Sequence, residues 1–319
     1  MKNVRIAFAV SALLGSSAFN SAQAATFSIG NYSGLFQGID EATASIQGAS
    51  GTSQAYIIRV NLDVPGVSFT TTPGAPGNTP NAGTGNEVVT QTTSQFLTTS
   101  GTQVAINTNF FSCPCVTNAA NPEYLLGLEV SNGKLVSSDQ SGYASLLLTQ
   151  NNQASLVAGG SVGNNISGIY NAVSGGGFVL RNGVDVVNGS IAGDPLNPNP
   201  RSVAGLSQDG EFLYLMAIDG RQAGYSVGVT QSEEADLMAA LGAWNAINFD
   251  GGGSTALAVQ GATGSAQLLN RPSAGAERYD GANLGIYAAP LPSVPLPPAL
   301  VLFGSGLLSL LGFNRRKPA

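Results

Sequence analysis

Residues 200–255 read PRSVAGLSQDGEFLYLMAIDGRQAGYSVGVTQSEEADLMAALGAWNAINFDGGGST. Inside this stretch, Phe212 to Ile218 is a near-continuous apolar run, which predicts a buried strand. Ser232 to Leu241 gives the clearest helix of the chain. Ser232 or Thr230 can serve as its N-cap, and Glu233, Glu234 and Asp236 complement the positive end of its dipole. Ala246 to Phe249 predicts a short buried strand that runs directly into Asp250-Gly251-Gly252-Gly253-Ser254-Thr255. Asp219 closes the first strand as Asp250 closes the second, and a glycine follows each. Two carboxylates at strand ends suit glycoside hydrolysis, although an Asp-Gly step also caps an ordinary turn. The three glycines allow backbone N–H groups to approach an anion closely. The segment has neither the Lys of a P-loop nor dinucleotide spacing.

Upstream, QAYIIRVNLDV from Gln54 to Val64 alternates and is rich in β-branched residues, so a strand is expected. Thr71 to Thr84 is crowded with Pro, Gly, Asn and Thr and predicts a long loop. Val88, Val89, Phe96 and Leu97 fall at helix-compatible spacing, which predicts a helix over Asn86 to Thr99. A strand from Gln103 to Asn107 then enters NTNFFSCPC. Leu126 onward reads as successive strands, with Asn-Gly hairpin turns in LGLEVSNGKLVSS and FVLRNGVDVV and further strands at Tyr143 to Thr149 and Ala154 to Val157. There is no fixed-period repeat. The expected fold is α+β, a single domain of mixed or antiparallel β-sheets with few helices.

Composition narrows the chemistry. Only 9% of the 319 residues are charged, 42 are glycine, and 18 acidic against 12 basic residues give a net charge of −6. A nucleic-acid partner needs a basic face, which this chain lacks. The chain has no histidine. A Ser-His-Asp triad, a Cys-His dyad and a His-ligated zinc are therefore excluded, and acid–base chemistry rests on carboxylates with Lys, Tyr or Arg in support. Cys113 and Cys115 are the two cysteines. In an oxidising compartment they are expected to form a disulfide, though across one residue the ring is tight. The alternative is a reactive thiol, which no histidine is present to activate.

Both ends carry sorting features. Lys2 and Arg5, an apolar stretch from Ile6 to Leu14, and Ala22-Gln23-Ala24 make a signal peptide over residues 1–24, recognised by signal peptidase. At the other end an apolar run from Ala299 to Phe313 precedes Arg315, Arg316 and Lys317, a stop-transfer layout shorter than a stable span. VPLPPALVLFGSGLLSLLGFNRRK resembles the PEP-CTERM sorting signal of Gram-negative bacteria, with Leu296 where the name motif has Glu. That resemblance implies transient inner-membrane anchoring over residues 291–319, processing by an exosortase-type transpeptidase, and a final place in the envelope or outside the cell. About 270 residues remain between the ends, enough for one domain at 25–290.

The stretch from Arg201 to Thr255, with AINTNFF, NGKLVSS and SGGGFVLRNG before it and LLNRPSAGAERYDGANLGIY after it, resembles the phosphodiester glycosidase family. The blocks occur in the family's order from about Ala55 to Tyr287. The resemblance implies an exported hydrolase of a sugar-1-phosphodiester, such as an N-acetylglucosamine-1-phosphodiester in envelope or exopolysaccharide material. Breaking the C1–O bond builds oxocarbenium-like charge that a carboxylate stabilises. The phosphate leaving group is a weak base whose charge needs Arg and N–H donors.

Position by position, the family pattern implies Asp250 as the principal catalytic carboxylate, Asp219 as the second and Glu233 as a third. Arg201 is the expected phosphate clamp. Asn107 is expected to hold a sugar hydroxyl or orient a carboxylate. Asn270, Arg271 and Arg278 are expected along the same cleft, with Gly251, Gly252, Gly253, Ser254 and Thr255 as an anion-cradling turn. Asn109 stands where the pattern has Gly and is expected to tolerate a left-handed turn. No cofactor is required; the carboxylates leave room for a divalent cation, although no ligand spacing demands one. The other reading is a catalytically silent exopolysaccharide-binding or matrix protein on the same fold.

Overall fold

The computed structural model describes residues 24–80, 86–112, 120–163 and 165–292. The leader through Gln23, Cys113 and Cys115, and the tail from Ser293 lie outside the described residues. Within them the protein is built from antiparallel sheets and two α-helices, an α+β domain as expected.

Strand Phe212–Ile218 is central. It pairs on one side with Gly51–Asn61 and on the other with Arg201–Leu206, which in turn pairs with Asn245–Asn248. Ile39–Gly48 beside Gly51–Asn61, and Gly177–Arg181 beside Asn245–Asn248, extend the sheet outward. Side chains alternate across a strand. Leu213, Leu215 and Ala217 join one core with Ile58, Ile106, Leu146, Leu257 and Leu284, while Tyr214, Met216 and Ile218 join a second with Leu237 and Met238. Both faces are covered, and the strand is apolar along its length for that reason. Full burial of one such side chain stabilises by roughly 1.5–3 kcal/mol.

Two five-stranded sheets cover the first face. One contains Glu129–Ser131, Lys134–Ser137, Ala144–Leu148, Ala154–Ala158 and Asn171–Gly175; the other contains Ser68–Thr71, Val104–Asn107, Leu257–Gln260, Ala266–Leu268 and Asn283–Tyr287. The opposite face of the large sheet receives helix α2 (Gln231–Leu241) through Ala235, Leu237 and Met238.

Of the two candidate caps, Thr230 starts α2. Its hydroxyl accepts the Glu233 N–H at 3.2 Å, and the Glu233 carboxylate accepts the Thr230 N–H at 2.8 Å, a reciprocal capping box. Gly242, at φ 104°, closes the helix.

The first helix is shorter than expected. Helix α1 spans Thr93–Ser100, not Asn86 to Thr99, because Thr92 caps it in a box with Gln95. The preceding Val88–Val89 instead pairs with Pro122–Glu123. The spacing of Val88, Val89, Phe96 and Leu97 fits one helix face. However, β-branched valines beside a strong cap favour a strand followed by a helix. The strand expected over Gln54 to Val64 begins earlier and ends at Asn61, where the Asn61 side chain accepts the Asp63 N–H at 2.9 Å and turns the chain.

Candidate active site

Asp250 leaves strand Asn245–Asn248 through the buried Phe249 and enters a 3-10 turn at Gly252–Ser254. Two neighbouring segments, 107–108 and Pro200, hold this turn. The Asp250 N–H donates to the Thr108 carbonyl at 2.7 Å, its carbonyl accepts from Asn107 Nδ2 at 2.6 Å, and the Gly252 N–H donates to the Pro200 carbonyl at 2.9 Å. Asn107 is fully buried, and its Oδ1 accepts from Ser202 Oγ at 2.6 Å and the Ala256 N–H at 3.0 Å. Each polar atom of the Asn107 amide therefore serves the protein itself. Asn107 orients the Asp250 loop and, at 0% exposure, is absent from the cleft lining.

Asp250 lies at the floor of an open cleft of about 310 Å³, walled by Phe110, Gly193, Asp194, Asn199, Arg221 and Arg278. That is within the range of small-ligand sites. Burial pushes the Asp250 carboxyl up to about 6, while the Ser254 hydroxyl, the Arg278 charge, the Gly251 N–H and the Arg221 charge pull it down. Arg221 reaches the cleft from a left-handed backbone (φ 59°) and is braced by Nε and Nη2 donating to Asn199 Oδ1 at 3.0 and 2.8 Å. Arg278 Nη1 donates to Ser254 Oγ at 3.2 Å. The two guanidiniums pass close to the glycine turn. A Cβ on Gly252 would stand 3.0 Å from Arg221, and one on Gly253 would collide with Arg278. Gly252 also needs its φ of 63°.

Gly251, Gly252 and Gly253 of the expected anion-cradling turn line the cleft, and three N–H groups of the turn are engaged within the protein. The Gly251 N–H serves Asp250 itself, the Gly252 N–H is bonded to Pro200, and the Ser254 N–H donates to the Gly251 carbonyl at 3.1 Å. The positive charge of the cleft comes from Arg221 and Arg278. Thr255 is buried, its carbonyl accepting from Asn270 Nδ2 at 3.1 Å.

Arg201 is not in the cleft. It is 1% exposed, and its guanidinium donates to the carbonyls of Val229, Gly193, Asp194 and Asn197, with Glu234 at 3.8 Å. It fastens the 193–197 loop, one wall of the cleft, from behind. The expected clamp is thus a scaffold residue, since four of its five N–H donors are already satisfied.

Asp219 is 1% exposed and accepts from Tyr225 Oη at 2.9 Å, Asn270 Nδ2 at 3.2 Å and the Arg271 N–H at 2.9 Å. Burial raises its pKa against those bonds. It is absent from the cleft lining, as are Asn270, held by Leu257 and Thr255, and the exposed Arg271, whose guanidinium lies 5.3 Å from the Tyr225 ring centroid. Glu233 is spent on the α2 cap and on the Ala49 N–H at 3.2 Å. Asn109 keeps a negative φ, and its amide donates to the Leu126 and Leu128 carbonyls and accepts from the Ser174 N–H. Its side chain thus cross-links three backbone groups, and the expected left-handed turn is not formed at this residue.

The carboxylate beside Asp250 is Asp280, which sequence reasoning passed over. It is 2% exposed, and neither of its oxygens has a hydrogen-bond partner. Burial drives its pKa well above the carboxylate range and the Asp250 charge drives it further, with the Ser254 hydroxyl and Arg278 opposing. In such a pair the proton stays on one member while the other ionises. Asp280-Gly281 repeats the Asp-Gly step that marked Asp219 and Asp250, and Arg221 lies two residues after Asp219. Both signals were present in the sequence, but nothing local tied either residue to Asp250.

A family model described as phosphodiester glycosidase matches residues 100–287, more than half of the chain. Among solved structures, the chain is similar to the zebrafish N-acetylglucosamine-1-phosphodiester alpha-N-acetylglucosaminidase catalytic domain auto-inhibited by its pro-peptide. That match has 20% identity and a TM-score of 0.59 over 83% of this chain and 88% of that one. It is also similar to an exported-protein candidate from Burkholderia pseudomallei (13% identity, TM-score 0.58, 83% and 97% covered) and to a hypothetical protein from Synechocystis (16%, 0.56, 79% and 62%). At these identities the structural matches speak to the fold alone. No curated protein matches the sequence.

Proposed function

Because this chain belongs to the phosphodiester glycosidase family, we propose that it hydrolyses a sugar-1-phosphodiester with Asp250 as its principal carboxylate. Family membership supports a hydrolase of phosphodiester-linked sugars; the substrate and the residue roles are our reading. The observation that carries it is the Asp250 carboxylate in a polar cleft that also holds two guanidiniums, Arg221 and Arg278. The diester phosphate carries one negative charge, and the two arginines bind it as the C1–O bond lengthens. Asp250, ionised above about pH 6, stabilises the positive charge at C1 or delivers water to it. Water adds its hydroxyl to C1, and its proton ends on the departing phosphate monoester.

Arg201 holds the cleft wall and Asn107 holds the Asp250 loop. Asp280 keeps its proton next to Asp250, so the pair carries one negative charge rather than two. N-acetylglucosamine is the first sugar to try, since a structurally similar protein is named for that substrate. The signal peptide and sorting tail support action outside the cytoplasm, on envelope or exopolysaccharide material.

The test is a panel of sugar-1-phosphodiesters incubated with purified protein alongside matching aryl glycosides. Free sugar is expected from the phosphodiesters only. Release from neither substrate class, together with binding to exopolysaccharide, would replace the hydrolase with a silent binding protein. The pH profile should be bell-shaped. Activity falls on the acid side as Asp250 gains a proton near 6, and on the alkaline side as Asp280 loses one. Asp280→Asn keeps a neutral hydrogen-bonding group at every pH. It should abolish the alkaline limb and leave the acid limb in place. An unchanged alkaline limb would remove Asp280 from the site's proton balance.

A further inference from the structure

Among the described residues, Asn132, Asn152, Asn182, Asp194 and Arg221 hold a left-handed backbone without being glycine. The three asparagines sit in hairpin turns, between Glu129–Ser131 and Lys134–Ser137, between Ala144–Leu148 and Ala154–Ala158, and between Gly177–Arg181 and Val184–Asp185. Asparagine tolerates this conformation, and many hairpin turns call for it. Asp194 (φ 54°) and Arg221 (φ 59°) are the other two, and both line the cleft. They are also joined. Asp194 Oδ2 accepts from Asn199 Nδ2 at 3.1 Å, and Asn199 Oδ1 accepts from Arg221 Nε and Nη2 at 3.0 and 2.8 Å. Arg221 stands over Gly252 and Arg278 over Gly253, where an added Cβ would meet each guanidinium. The order along the cleft is therefore Asp194, Asn199, Arg221, Arg278, with a carboxylate at one end and positive charge at the other. Backbone strain of this kind persists where the surroundings over-determine it, and it gathers at ligand sites. Here Arg201 supplies the constraint from behind, donating to the Gly193 and Asp194 carbonyls.

We propose that Asp194 is the specificity-determining carboxylate of the cleft, accepting hydrogen bonds from the hydroxyls of a sugar whose 1-phosphate lies between Arg221 and Arg278. This rests on the reading of the cleft as a sugar-1-phosphodiester site and assigns its two ends. An ionised carboxylate only accepts, and two of its roughly four lone-pair sites are taken, by Asn197 Nδ2 at 2.7 Å and Asn199 Nδ2 at 3.1 Å. Asp194 is exposed, and its remaining sites suit hydroxyl donors. They repel a phosphate, which brings charge and no hydrogen. The Asn197 bond foremost, then the Asn199 bond and the charges of Arg201 and Arg221, hold the carboxyl below its ordinary range. It is thus ionised wherever Asp250 is. A charged acceptor bonds a hydroxyl more strongly than a neutral one, and a site built for a hydroxyl rejects sugars that lack it. Loop closure is the competing role. It needs no charge, since Asn188 closes the neighbouring turn with a neutral amide, its Oδ1 accepting the Ser190 N–H at 2.9 Å.

Calorimetric titration with inorganic phosphate and with the 1-phosphates of N-acetylglucosamine, glucose and galactose tests this without turnover. At least one sugar phosphate is expected to bind wild type roughly 10–100-fold more tightly than phosphate does. Asp194→Gly keeps the left-handed backbone without steric penalty and removes the carboxylate. It should erase that excess and leave phosphate affinity within about threefold of wild type. Asp194→Asn, which keeps the shape without the charge, should lose most of the excess as well. Among monodeoxy forms of the favoured sugar phosphate, one should bind wild type and Asp194→Gly alike. A sugar excess that survives in Asp194→Gly overturns the proposal. So does the absence of any excess in wild type, or a joint loss of sugar and phosphate affinity in both variants. The expected binding pattern without hydrolysis of the matching phosphodiester upholds Asp194 and sinks the hydrolase reading. Hydrolysis with an unchanged sugar excess in Asp194→Gly does the reverse.

Discussion

Replacing Asp250 with Asn is expected to lower kcat/KM on a sugar-1-phosphodiester by about 10³-fold or more, the scale on which a lone charge-stabilising group at the reacting centre acts. Asn fills the same volume and still accepts hydrogen bonds from Ser254 and Gly251, so the loop bonded to Asn107, Thr108 and Pro200 should persist. Stability gives an internal control with a definite sign. The folded-state pKa of Asp250 is raised to about 6 by burial, so the native protein holds that proton more tightly than the unfolded chain. Stability linked to this group is present in full below the unfolded pKa and is lost as pH rises through about 6. Asp250→Asn escapes that loss. Relative to wild type it should be at least as stable at pH 7.5, and the advantage should shrink by pH 5. Denaturant melts at both pH values check this, and turnover at the wild-type rate would take Asp250 out of the mechanism.

Arg201→Ala should instead act on stability, by about 3–5 kcal/mol. The change strips donors from four buried or part-buried carbonyls, at Val229, Gly193, Asp194 and Asn197. It also leaves Glu234, 0% exposed and pushed up to about 8 by burial, without the one charge that offsets its burial. In a domain of this size the loss corresponds to a Tm lower by roughly 6–15 °C. Arg201→Lys should recover little, because an ammonium cannot span four carbonyls arranged for a planar fork. A Tm within about 2 °C of wild type, with a raised KM for the phosphodiester, would return Arg201 to the phosphate.

The two arginines show how far local sequence reaches. Arg201 opens the strand paired with Phe212–Ile218, and Arg221 follows shortly after that central strand ends. The family pattern favoured Arg201 as the clamp. The fold buries it behind the cleft wall and places Arg221 in the cleft lining, where it braces on Asn199. Both bind the 193–199 loop, Arg201 through the Gly193, Asp194 and Asn197 carbonyls and Arg221 through the Asn199 side chain. The carboxylates diverge in the same way. Asp219 and Asp250 look equivalent as strand-end Asp-Gly steps, yet Asp219 is enclosed by Tyr225, Asn270 and Arg271. Asp280, some thirty residues after Asp250, is the one whose pKa responds to the Asp250 charge.

What the sequence determined by itself is whatever short-range physics controls. The apolar run Phe212–Ile218 marked a strand covered on both faces. The Asn-Gly steps marked hairpins, and Thr230 with Glu233 started a helix through bonds closed within four residues. The absence of histidine confined the chemistry to carboxylates. Tertiary structure alone decided which charged side chains share a cleft and which become braces. That depends on sheet register and on the packing of one sheet's ends against another's, and on which donors the folded backbone has already consumed. A buried Arg, Asp or Asn serves the groups that the fold brings to it, from Arg201 with Asn197, close in sequence, to Asn107 with Asp250, far apart in it.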